Sequence, residues 1–184
     1  ERDDPAGMTR AGQEGAHAIG YVTRPVHLEL EAEKFETYLK EKGFDRVIEE
    51  RARLGESKKA GREDYSRSIK SLIRVGDAGA DGFDRALGLP LELVPIQNPF
   101  AAKAGDKIAF RLLLNVKPLA NTLVDAMSKR GESTTPPQSA RTDERGEVTF
   151  TFGEPGTRLV CAVHMERSAT ETVEWRSTWT SLTF

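Results

Sequence analysis

The sequence predicts a mainly β protein: an immunoglobulin-like or transthyretin-like β-sandwich over residues 87–184, preceded by a partial β unit with a helical insertion. Three observations predict it. Apolar and polar residues alternate through most of 105–167, as in strands that bury one face. Gly, Pro and Asn interrupt that alternation at roughly 8–12-residue intervals, the spacing of a sandwich. One earlier segment, about 31–54, abandons the two-residue period for helical spacing.

Residues 1–15 are polar and rich in Gly, Asp and Glu, and read as a loop. His17, Ile19 and Tyr21 alternate with Ala18, Gly20 and Val22, which predicts a strand. Pro25 interrupts, and Val26, Leu28 and Leu30 predict a second. Phe35, Tyr38 and Leu39 then share a helix face, with Glu31 and Glu33 in front, Lys40 and Lys42 behind, and Gly43 as a stop. A second helix over 44–54 places Phe44, Val47 and Ile48 on one side and ends at Gly55. Residues 55–64 read as a charged loop. The next piece is open: Tyr65, Ile69, Leu72 and Ile73 fit a helix, whereas Ile69, Ser71, Ile73 and Val75 fit a strand. The Gly- and Asp-rich stretch that follows predicts a boundary, dividing the chain into a first unit over 1–76, a linker over 77–86 and the sandwich over 87–184.

In the second half, Leu89, Leu91 and Leu93 alternate until Pro95. Ile108, Phe110, Leu112 and Leu114 form one face of the next strand. Residues 116–119 read as a tight connection and 122–128 as a strand. Residues 129–139, with two adjacent prolines, read as a loop. Val148, Phe150 and Phe152 mark a strand with one buried face, followed by a turn at 154–156. Leu159, Cys161, Val163 and Met165 alternate with a second apolar set, which predicts a central strand. Val173, Trp175 and Trp179 share a face of the last strand. Leu182 and Phe184 have the opposite parity, so a bulge is expected between them.

The formal net charge of −2 comes from interspersed charges, and no nucleic-acid partner is expected. No apolar run reaches the roughly 18 residues of a transmembrane helix, and no signal peptide is visible. The chain opens on ERDDPAG, which reads as mid-loop and leads us to expect preceding residues. The single cysteine, Cys161, lies on an apolar strand face and reads as a buried small hydrophobe.

The order LGLPLELVPIQNPF, AGDKIAFRLLLNVKPLANTLVDAM, ARTDERGEVTFTF, PGTRLVCAVHM and WRSTWTSLTF resembles a bacterial domain-of-unknown-function family, number 4198. Its members once carried the label of nickel or cobalt uptake components. The upstream ELEAEKFETYLKEKGFD and GREDYSRSIKSLIRVG resemble it too, so the likeness covers roughly 16–184. The resemblance implies an exported, periplasmic or membrane-associated protein built from two β-sandwich units, and a strand at SRSIKSLIRVG. It also implies a transporter or other envelope protein as partner and a divalent transition metal as cofactor. Family members begin with a His-rich aromatic segment, which is not found in this sequence.

No nucleophile-elbow, dinucleotide, P-loop or zinc-protease motif occurs, and no enzyme is expected. Of the three histidines, His27 shares a strand face with Glu29 and Glu31, a donor set that suits a divalent first-row metal and equally reads as an acidic solvated face. His164, on the central strand, reads as a metal ligand or base, or as an imidazole hydrogen-bonded beside the core. His17 reads as structural. The candidate metal set is therefore His27, Glu29 and His164. Trp175 and Trp179, roughly 13 Å apart along one strand face, form a candidate glycan-stacking platform or pack into the core. The function expected is a non-enzymatic periplasmic binding or accessory protein associated with nickel or cobalt uptake. The alternative is a structural or adhesion-type module that binds protein or glycan. Any site is expected where the sandwich meets the segment around His27, or in the 129–139 loop.

Overall fold

The computed structural model describes residues 8–184 except 78, 80, 154 and 171. The polar opening over 1–7, and Glu154 of the expected turn, lie outside the described residues. The first part of the chain forms β1 (Gly15–Val22), β2 (Val26–Leu30), α1 (Ala32–Glu41), α2 (Asp45–Arg53) and β3 (Gly61–Val75). There follow β4 (Leu91–Pro95), β5 (Lys107–Leu114), β6 (Lys117–Pro118), β7 (Leu123–Arg130) and β8 (Ser133–Thr134). The chain closes with β9 (Gln138–Arg141), β10 (Glu147–Thr151), β11 (Thr157–Arg167) and β12 (Trp175–Thr183). The protein is mainly β, as the alternation predicts.

An eight-stranded sheet runs β1-β3-β12-β11-β7-β8, with β2 also paired to β3 and β9 to β7. A four-stranded sheet runs β10-β5-β4, with β6 on β5. β3 is the spine. Along one edge its first residues pair with β2 and its last with β1. Along the other it runs parallel to β12, from Trp175 opposite Glu63 to Thr183 opposite Ser71. The hydrogen-bonded ladder thus joins strands from before and after the 76–86 stretch in one sheet.

The ambiguous 65–75 segment is a strand, as the family resemblance implies. The strand starts earlier than its charges suggest. Gly61 to Asp64, expected in a loop, pair with β2, and Glu63 and Asp64 pair with β12 as well. Two-sided backbone pairing outweighs the poor strand propensity of Asp and Glu there. The 129–139 segment is likewise not all loop: β7 runs on to Arg130, and β8 and β9 pair back onto it. The expected bulge in the last strand is absent. β12 pairs without a break, and its two parities serve two partners. Leu182 faces the second sheet, in a core with Leu91, Phe110, Val124 and Val160. Trp175 faces the helices, in a separate core with Phe35, Leu39, Val47 and Met165. The large sheet is therefore covered on opposite faces at its opposite ends.

The helix boundaries follow from their glycines. Gly43 (φ 66°) and Gly55 (φ 67°) adopt the left-handed conformation that ends each helix. In both, the glycine N–H and the next N–H bond back to helix carbonyls: Gly43 to Lys40 and Phe44 to Leu39, then Gly55 to Ala52 and Glu56 to Arg51. Arg51, 1% exposed, locks the pair. It donates to Glu36 and to the carbonyls of Glu56 and Lys59, each at 2.8 Å, and lies over the Phe35 ring.

Candidate functional site

A concavity lies where β7 separates from β11. Their last paired residues are Val124 and Ala162. Before Leu123 the chain turns toward β9 instead: Asn121 N–H donates to the Thr142 carbonyl, and Thr142 N–H to the Thr122 carbonyl. Arg141, paired with Leu123 across β9 and β7, reaches over the gap. Its guanidinium donates to the Asn121 carbonyl at 3.0 Å, the Gly43 carbonyl at 3.0 Å and Asp45 at 2.8 Å. A groove of about 390 Å³ results, lined by the α1–α2 connection, the 119–123 loop and β11 from Val163 to Met165. That is within the usual range for ligand pockets.

Backbone polarity along β11 defines what this groove presents. Arg158 and Phe184 exchange both backbone bonds, and Ser168 N–H donates to the Glu174 carbonyl. Alternation then makes the even-numbered residues of β11 bond to β12 and turns the odd-numbered ones toward β7. Beyond the last β7 pair, the Met165 N–H and C=O face the groove. Among the described residues no loop hydrogen bond replaces β7 there.

The sides of the groove combine Phe44, Val47, Leu119 and Leu123 with three cations, Lys42, Arg46 and Arg141, against one lining carboxylate, Asp45. Lys42 also approaches Asp125 (3.6 Å). His164 lines the groove, and burial pushes its pKa down, with Glu166 opposing weakly at 3.9 Å. The imidazole is therefore neutral near neutral pH, suited to donate and accept one hydrogen bond each.

The other sequence-marked residues are dispersed. His27 is on β2, where its Nδ1 lies 3.2 Å from Asp64 on an exposed face. His27, Asp64, Arg176 and Glu166 are successive cross-strand neighbours over β2, β3, β12 and β11. Three strand spacings, roughly 14 Å, therefore separate β2 from β11, and His27 and His164 do not share an ion. Glu29 pairs across with Arg62, whose guanidinium grips Glu174. Among the described residues no three His, Cys, Asp or Glu side chains are grouped to hold a metal. His17 Nε2 donates to the Gln13 carbonyl oxygen at 2.8 Å.

The tryptophans part company too. Trp175 is 1% exposed beneath the hairpin and offers no face to a ligand. Trp179 is half-buried, stacked on Tyr38 at 6.0 Å with Lys42 and Arg67 over its ring. Cys161 is half-buried rather than fully buried. Burial and the Asp125 charge push its thiol pKa up, so it stays protonated near neutral pH.

A buried polar cluster underlies the hairpin. Glu63 on β3, 2% exposed, faces Tyr38 of α1 and Ser177 of β12. Burial pushes the Glu63 carboxyl up, and the two hydroxyls only partly offset it. Glu63 Oε2, the Tyr38 hydroxyl, the Ser177 hydroxyl and Trp175 Nε1 each lack a well-formed hydrogen bond.

The profile of a domain of unknown function, DUF4198, matches residues 3–166. The chain belongs to this family. No curated protein matches it, and no solved structure does. Within DUF4198 this chain's groove was not legible from sequence. Arg46, Arg141 and Met165 carry no motif, and they meet only because β7 leaves β11 at Ala162. The one available signal was the Leu119-Ala120-Asn121 turn, whose Asn121 has a left-handed φ of 52°.

Proposed function

We propose that this DUF4198 chain is a non-enzymatic binding or accessory protein of the bacterial cell envelope, and that its ligand sits in the groove between the helical hairpin and the parted β7 and β11. The groove carries the reading: it joins apolar walls, a basic rim and unpaired backbone groups in one concavity. The envelope location rests on the family likeness, and the non-enzymatic character on the lack of any catalytic motif in the sequence. In this reading a link to nickel or cobalt uptake runs through an envelope partner such as a transporter. It does not run through an ion held jointly by His27, Glu29 and His164, which three strand pairings keep apart.

Two measurements test it. Titration with nickel, cobalt, zinc and copper should show no binding tighter than about 100 μM, which corresponds to roughly 5–6 kcal/mol. A fragment screen read by amide chemical shifts should give hits that cluster at Lys42–Val47 and Leu119–Leu123. Tight stoichiometric metal binding lost in His27→Ala and His164→Ala, or hits confined to other surfaces, would overturn the reading.

A further inference from the structure

The groove's chemistry narrows its occupant. We propose that it takes an extended, acidic polypeptide segment, which adds to the unpaired edge of β11 as a strand. This rests on the groove being the ligand seat and goes further in naming the ligand class.

The first argument is the backbone. β11 runs to Arg167, but its β7 partner stops at the Ala162 pair. The Met165 N–H and C=O are left on the groove side, one donor and one acceptor at strand spacing. A small carboxylate, which only accepts, leaves the C=O unpaired; another main chain supplies donor and acceptor at strand spacing, as in β-augmentation. Backbone N–H and C=O groups need partners, and a strand added along β11 restores the ladder that β7 leaves off at Ala162.

The second argument is the side-chain surroundings. An added strand places alternate residues on the hairpin face, against Phe44 and Val47, and the others on the face of His164. Around it stand Lys42, Arg46 and Arg141, with Asp45 as the one lining carboxylate. Asp45 is already taken by Arg141 and Lys42 lies near Asp125, whereas Arg46 has no ion pair among the described residues. An acidic side chain near Arg46 completes that balance; a basic one is repelled. Surface charge of this kind steers association and selects partners more than it adds affinity.

The test uses blocked hexapeptides on the intact chain. One alternates Glu and Val, one alternates Lys and Val, and two are Glu-Val peptides N-methylated at one or the other alternate set of amides. The Glu-Val peptide should bind, shift the Val163–Met165 amide signals, and weaken about fivefold or more with Arg46→Glu. That substitution sits in the first turn of α2, where a carboxylate favours the helix. One N-methylated peptide should lose about tenfold or more and the other should bind like the parent, because only one set of N–H groups points at β11. Equal binding of both methylated peptides, preference for Lys-Val, or no peptide-induced shift in a groove that does bind fragments would each overturn the strand assignment while leaving the groove itself standing. Concentration-dependent self-association through Met165 would also overturn it, by making a second copy the occupant.

Discussion

Two buried acids make opposite demands on their surroundings. Glu92, 1% exposed, is fully satisfied. It accepts Lys70 Nζ at 2.6 Å and the backbone N–H groups of Leu87, Gly88 and Leu89, so it pins the 87–89 turn to β3. Removing either charge leaves the other buried without its counter-charge, and Lys70→Met or Glu92→Gln should each cost about 3–5 kcal/mol in urea unfolding. The Lys70→Met/Glu92→Leu pair should not return to wild type, since three backbone donors stay orphaned. Glu63 is the reverse case, a carboxyl whose pKa is raised by burial. A raised folded pKa means its contribution is fully present below the ordinary carboxylate range and is lost as pH rises through the folded value. Glu63→Gln should therefore lose that part of the pH dependence. Measured by urea unfolding between about pH 4 and 8, its advantage over wild type should grow with pH; an unchanged difference would place Glu63 in contact with solvent or a cation.

The helical hairpin shows how narrow the clearance under an element can be. A Cβ at Gly61 would meet the Phe35 ring at the position where α1 rests on β3. Gly61→Ala should cost about 1–3 kcal/mol by overpacking and speed amide exchange in α1 before it affects β5 or β10. Much of the element plan was readable beforehand, since β5, β10 and β11 alternate cleanly and both helices end on glycines with the expected geometry. β3 was half hidden. Arg62, Glu63 and Asp64 look like loop, and the strand changes covering partner midway, so neither face holds one polarity along its length. Its parallel pairing with β12, more than a hundred residues downstream, leaves no local mark. The same holds for the candidate site: His27 and His164 invited pairing by residue type, but only strand order shows that β3 and β12 stand between them.

At the scale of the molecule, the parallel β3–β12 pairing makes the halves interdependent. Unfolding followed by far-UV and tryptophan signals should give one coincident transition, and residues 87–184 expressed alone should aggregate or fail to fold, because β12 would expose a long unpaired edge. Two separated transitions would mean that the halves fold independently. The central claim concerns one gap in the large sheet, the edge of β11 beyond Ala162. It is tested most directly by comparing amide hydrogen exchange at two residues of that strand whose N–H groups point the same way. Cys161 pairs with Asp125 of β7, and Met165 lies past the last pair. The groove predicts that Met165 exchanges about tenfold or more faster than Cys161 in the free protein and becomes protected when the Glu-Val peptide is added. Equal, strong protection of both amides in the free protein would mean that the edge is already closed, and would contradict the account.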